Sequence, residues 1–195
     1  MMQIKRLEIA ISHARGLVTN CYLVELPDGT VIVDPAEDAA QIISALGKNR
    51  PQAVILTHRH DDHLLAVPEL VAHYGEQLPV YVHEADLAAA HDSIAVRLEP
   101  LHGGERLCGV FEVIHTPGHS SGSICLYVPD EGLLFSGDTL FEGTCGAVHF
   151  ESGSPSQMHD SLQRLAKLPK ATVVLPGHGN PTTIGEELTA GLVEI

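Results

Sequence analysis

The chain has 195 residues, 44% of them hydrophobic, enough to bury one sizeable core. Eleven Lys and Arg against 25 Asp and Glu leave a formal net charge of −14, which argues against a nucleic-acid backbone as partner. With no membrane-length apolar run, signal-peptide pattern, linker or solenoid repeat, the expectation is one cytoplasmic domain, residues 1–195.

The alternation of Ile4–Ile11 predicts a first strand, and Cys21–Leu26 a second. The turn Pro27-Asp28-Gly29 leads into Val31-Ile32-Val33, so a hairpin ends at Asp34-Pro35. A helix is expected from about Asp38 to Leu46, closed by Gly47. The strand Ala53–Thr57 follows, then a histidine-rich string and a helical segment through Leu70–Tyr74 closed by Gly75. Short strands are expected at Val80–His83, Val110–Thr116, Ser123–Val128, Leu133–Ser136 and Val173–Leu175. Ser154, Pro155 and Gln157 read as a capping box opening a helix to about Leu168, and Ile184–Leu192 as a last helix. Hairpins mixed with strand–helix units suggest a mixed sheet with helices outside, or two sheets face to face. The separated cysteines Cys21, Cys108, Cys125 and Cys145 read as reduced, mostly buried thiols.

The string is Thr57-His58-Arg59-His60-Asp61-Asp62-His63, placed at the mouth of the apolar run Ala53-Val54-Ile55-Leu56. Imidazole nitrogen and carboxylate oxygen are ligands for zinc, iron or manganese. So many hydrated groups at the end of a core strand need something to pair them. Three later strands end in the same way: His119 follows Thr116-Pro117-Gly118, Asp138 follows Ser136-Gly137, and His178 follows Pro176-Gly177. A glycine beside each lets the backbone turn sharply toward a common point. His13, His73, His83, His91, His102, His115 and His159 lack such a context. His149, soon after Asp138, is the least ordinary of the remainder.

The pattern His-x-His-x-Asp-His, followed by separate His, Asp and His, resembles the metallo-β-lactamase fold superfamily over nearly the whole chain. Gly137-Asp138-Thr139-Leu140-Phe141, Cys145-Gly146, Ser154-Pro155-Ser156-Gln157-Met158 and Ser161-Leu162 are similar to the hydroxyacylglutathione hydrolases, or glyoxalase II. The resemblance implies an α/β (α+β) fold, a four-layer αββα sandwich holding two divalent metal ions, zinc first, with iron or manganese as alternatives. His58, His60 and His119 would bind one ion, Asp62, His63 and His178 the other, and Asp138 would bridge them. Asp62 and Asp138 are thereby the expected catalytic carboxylates.

Two such ions share a water whose pKa falls from about 15.7 to near 7, and the resulting hydroxide attacks a carbonyl. A thiolate leaves readily because a thiol pKa is about 8.5, so the expected reaction is thioester hydrolysis on a small-molecule substrate. The alternatives are a persulfide dioxygenase with a single iron, a lactonase or a β-lactamase; a nuclease, or metals as structural staples, stand further off. Glyoxalase II carries Arg or Lys where this chain has Ala147, Tyr near Gly179-Asn180-Pro181, Gly-Gly where Leu65-Ala66 stands, and a C-terminal helical domain with no counterpart here. These departures bear on glutathione recognition and leave the ligand set intact. An anionic substrate needs a cation, and Arg15 in the Ser12–Gly16 loop, with Arg59 inside the motif, are the candidates beside His149.

Overall fold

A computed structural model describes residues 2–191 of the chain. It contains two compact units, residues 1–101 and 102–195. In the first unit, strands β1 (Gln3–Ala10), β2 (Val18–Leu26) and β3 (Gly29–Val33) form an antiparallel meander. Helix α1 (Ala39–Leu46) then crosses to β4 (Pro51–Ile55), which lies parallel to β3. The short helix α2 (Asp61–Leu64), α3 (Val67–Tyr74), β5 (Val80–His83), α4 (Glu84–Ile94) and β6 (Glu99–Leu101) complete a six-stranded sheet in sequence order. Ile42 of α1, Leu70 of α3 and Ala90 of α4 join Ile9, Leu23, Ile32 and Val54 in one buried cluster, so the helices cover one face of that sheet.

The second unit runs through β7 (Arg106–Leu107), β8 (Phe111–His115), β9 (Ile124–Val128), β10 (Leu133–Gly137) and a small hairpin of β11 (Leu140–Phe141) and β12 (Thr144–Cys145). Helix α5 (Pro155–Leu165), β13 (Val173–Pro176), β14 (Thr182–Thr183) and α6 (Ile184–Ala190) follow. The sheet order is β14-β13-β10-β9-β8-β7, antiparallel except where β13 lies parallel to β10. Met158, Leu162 and Leu165 of α5 and Ile184 of α6 bury against Cys125, Leu134 and Val174. Each unit thus supplies one helical layer and one sheet, and the expected mixed α/β class holds.

Most predicted elements lie within a few residues of the observed ones, and the differences have physical causes. Residues 53–57 were expected as one strand, but the ladder ends at Ile55 because the Thr57 N–H turns to the Asp34 carboxylate at 2.8 Å. The helix expected to reach Leu168 stops at Leu165, and Pro169 disfavours helical backbone at Leu168 itself. Only half of the capping box forms: Ser154 Oγ accepts the Gln157 N–H at 3.4 Å, while the Ser154 N–H donates to the Gly118 carbonyl at 2.8 Å. Leu192, the expected end of the last helix, lies outside the described residues. No helix among the described residues is long and apolar enough to cross a membrane.

Candidate functional site

The first unit gathers His58, His60, Asp62 and His63 between the end of β4 and α2. His58 and His63 are buried, with ring centroids 4.2 Å apart, and the His60 ring meets His58 edge to face at 4.8 Å. Behind them stands Asp34, buried at the end of β3, which the sequence marked only as the end of a hairpin. Its Oδ1 accepts the Thr57 N–H at 2.8 Å. Its Oδ2 accepts the Thr57 hydroxyl at 2.7 Å and the His63 Nδ1–H at 3.0 Å. Thr57 spends its one proton on Asp34, so at 3.1 Å it can only accept from His58 Nδ1. Both rings therefore carry the proton on Nδ1 and keep the Nε2 lone pair for a metal, the arrangement by which outer carboxylates orient ligating histidines.

Asp34 and Ala36 both adopt left-handed backbone, φ 50° and 55°, strain that residues other than glycine accept only where surroundings enforce it. The enforcing bonds are Ala36 N–H to the His63 carbonyl at 3.1 Å and Ala66 N–H to the Ala36 carbonyl at 2.8 Å. They strap the strand end to α2. Thr19 of β2 donates to Asp62 Oδ2 at 3.3 Å, and that oxygen stands 3.5 Å from His63 Nε2.

The second unit gathers His119, Asp138 and His178 at the ends of β8, β10 and β13. Asp138 Oδ2 lies 3.4 Å from His119 Nε2 and 3.4 Å from His178 Nε2. His119 Nδ1 donates to the Ala147 carbonyl at 2.7 Å, which again puts the ring proton on Nδ1 and turns the Nε2 lone pair toward Asp138. Residue 147 thus serves the site through its backbone, whatever side chain it carries.

Local packing explains the glyoxalase-like segments. Gly118 has φ 145°, and a β-carbon there would stand 2.5 Å from the Met158 backbone nitrogen. Ser161 Oγ donates to the Pro117 carbonyl at 2.7 Å, so α5 clamps the turn that presents His119. A β-carbon on Gly146 would lie 1.9 Å from the Asp138 carbonyl oxygen and 3.0 Å from His119 Nδ1, which is why a glycine is needed beside them.

These distances are those expected between side chains that share a metal ion. Ligand atoms about 2.1 Å from one ion at tetrahedral angles stand about 3.4 Å apart. The His119–Asp138, His178–Asp138 and His63–Asp62 separations of 3.4, 3.4 and 3.5 Å match that edge and are long for direct hydrogen bonds. A carboxylate oxygen equidistant from two imidazoles is also placed as a bridging ligand would be.

The expected substrate contacts are less constrained. Arg15 is exposed in the β1–β2 loop, and Arg59 is half-buried, its N–H donating to Asp86 Oδ2 at 3.1 Å. His149 is exposed and lies against Phe150 with centroids 4.5 Å apart. Phe150, which sequence reasoning passed over, meets the His119 ring edge-on at 5.7 Å and is 47% exposed. Its signal was a large apolar residue inside a polar loop close to the ligands.

Residues 14–178 match the family profile described as Metallo-beta-lactamase superfamily. A hydroxyacylglutathione hydrolase of Pectobacterium atrosepticum is 41% identical over 150 residues, 76% of this chain and 56% of that enzyme. The match thus spans little more than half the length of that relative. The protein TTHA1623, solved in a di-iron-bound form, is 35% identical with a TM-score of 0.87, over 95% of this chain and 98% of the other. BLEG-1, a B3 metallo-beta-lactamase, is 29% identical with a TM-score of 0.82, over 98% and 99%.

Proposed function

The chain belongs to the metallo-beta-lactamase superfamily, and on that premise we propose that it is a dinuclear metal-dependent hydrolase of thioesters, with residues 1–195 acting as one domain. The observation that carries the reading is Asp138 Oδ2, held equally far from His119 Nε2 and His178 Nε2. We assign His58, His60 and His119 to one ion and Asp62, His63 and His178 to the other, with Asp138 between. Zinc is the first candidate, and the di-iron form of TTHA1623 keeps iron open.

Bound divalent ions supply a water acidic enough to react near pH 7 and positive charge for a carbonyl oxygen. The chain's own residues do the rest. Asp34 keeps the Nε2 lone pair of His63 outward directly and that of His58 through the Thr57 hydroxyl, and the Ala147 carbonyl does the same for His119. Phe150 offers an apolar wall beside His119, and Arg15, Arg59 and His149 are the proposed contacts for a charged substrate group. A thiolate departs without a strong proton donor, which suits a ligand set with no further acid assigned. The 41% identity to a hydroxyacylglutathione hydrolase supports the thioester class. The four cysteines are free thiols, which suits a reducing cytoplasm.

The likeness to BLEG-1 supports a second reading, hydrolysis of a β-lactam or lactone carbonyl by the same groups. The test is metal analysis of the purified protein with turnover of S-D-lactoylglutathione, a lactone and a β-lactam, and oxygen uptake with glutathione persulfide. Two metals per chain and preferred thioester turnover are expected, with Asp138→Ala losing at least one metal and nearly all turnover. Oxygen uptake with one iron, or wild-type metal and turnover in Asp138→Ala, overturns the proposal.

A further inference from the structure

The segment between Ile55, the end of β4, and Asp61, the start of α2, belongs to no ladder or helix, yet it carries His58 and His60. Two carboxylates hold alternate backbone N–H groups along it. Asp34 Oδ1 takes Thr57 N–H at 2.8 Å, and Asp86 Oδ2 takes Arg59 N–H at 3.1 Å. Asp86 is fully buried in the first turn of α4, 27 residues from its partner in sequence.

A carboxylate at this helix position ordinarily folds back to cap its own first turn. Here the side chain of the N-cap residue His83 already takes part in the cap, its Nδ1 accepting the Ala85 N–H at 3.2 Å, and one oxygen of Asp86 reaches out of the helix to the Arg59 backbone N–H. Burial of a carboxylate is costly without partners. The positive end of α4 and the Arg59 amide meet that cost.

We propose that Asp86 is a positioning residue for the metal centre: by fixing the peptide at Arg59 it sets the directions in which the flanking imidazoles of His58 and His60 project. Those rings stand edge to face, centroids 4.8 Å apart and planes 89° apart, and rotation of the intervening peptide would swing both. The inference rests on the metal-hydrolase reading and adds to it a residue outside the ligand motif. Outer-sphere groups of this kind change metal affinity by about 10–100-fold when removed.

The test uses the full chain, stripped of metal and titrated with zinc against a chromophoric chelator, with the cobalt(II) absorption spectrum as a signature of ligand geometry. Asp86→Ala is expected to bind zinc about 10–100-fold more weakly and to alter the cobalt spectrum while keeping its far-UV dichroism. Asp86→Asn, whose amide oxygen still accepts the Arg59 N–H, should return both close to wild type. His91→Ala, exposed on the same helix, should change neither. A folded Asp86→Ala with wild-type zinc affinity and spectrum overturns the role. Should Asp86→Ala fail to fold, Asp86→Glu decides, because it keeps the charge and displaces the oxygen: weakened zinc supports positioning, and unchanged zinc overturns it. A wild-type chain that binds no zinc, or binds it equally well after His58→Ala, overturns the hydrolase reading itself.

Discussion

Asp34 concentrates three demands in one carboxylate: it takes the Thr57 amide, the Thr57 hydroxyl and the His63 ring. Its φ of 50° would ordinarily confuse any substitution with backbone strain. Asparagine avoids that problem, because after glycine it is among the residues that best tolerate left-handed backbone. Asp34→Asn keeps one acceptor oxygen and turns the other into a donor that faces the Thr57 hydroxyl or His63 Nδ1–H. We expect zinc affinity to fall about 10–100-fold with the fold retained. Chelator competition and far-UV dichroism check it, and wild-type affinity would remove Asp34 from the site. The sequence carried a faint trace of this role, since Asp34 ends the apolar run Val31–Val33 as the ligands end theirs. It could not be told from an ordinary carboxylate closing a hairpin. The proposed ligands were legible because four of them share one string and the other three repeat a strand–glycine–side-chain design. Asp86 was not, because its partner lies in another element.

At the scale of elements, what escaped the sequence has a common cause. Helix α4 carries no clear apolar stripe, begins at a histidine cap and ends at Ala95 in left-handed backbone, so none of the usual boundary residues mark it. Strands β7, β11, β12 and β14 are two residues long, too short for any period to register. The β11–β12 hairpin nonetheless holds the site, because it delivers Gly146 onto the Asp138 carbonyl. A methyl group placed 1.9 Å from that oxygen cannot be absorbed by a rotamer change, so the hairpin must move. Overpacking of this kind costs about 1–3 kcal/mol, or roughly 3–10 °C in Tm for a chain of this size. Gly146→Ala should therefore lower Tm by that amount and lose metal, because Asp138 and His119 shift with the hairpin. Gly143→Asn serves as control: nothing lies within 4 Å of its β-carbon, and asparagine accepts its φ of 73°. Equal Tm in the two variants would mean that the close approach is unimportant.

At the scale of the whole molecule, the two units hold buried thiols that tie stability to pH. Burial pushes the Cys125 thiol up to about 11, with Thr116 and Thr139 pulling weakly the other way. Burial raises Cys21 too, and the nearby Asp34 charge adds to it. An unfolded chain loses these protons near the ordinary thiol value of about 8.5. Between there and pH 11 the folded chain holds more protons than the unfolded one, so stability falls as pH rises. The contribution is complete below pH 8.5 or so and is lost as pH climbs through the folded value, at about 1.4 kcal/mol per pH unit for each thiol. A chain already at −14 gains further negative charge over the same range, which acts in the same direction. Metal binding has its own pH dependence, so the measurement belongs to metal-free protein: urea midpoints at intervals from pH 8 to 11. Cys125→Ala should start less stable at pH 8, because it leaves a small cavity, yet decline less steeply than wild type. The Cys21,Cys125→Ala double variant should be flatter still. Identical slopes in all three would mean that the thiols do not set the alkaline limit, and that charge repulsion across the acidic chain does.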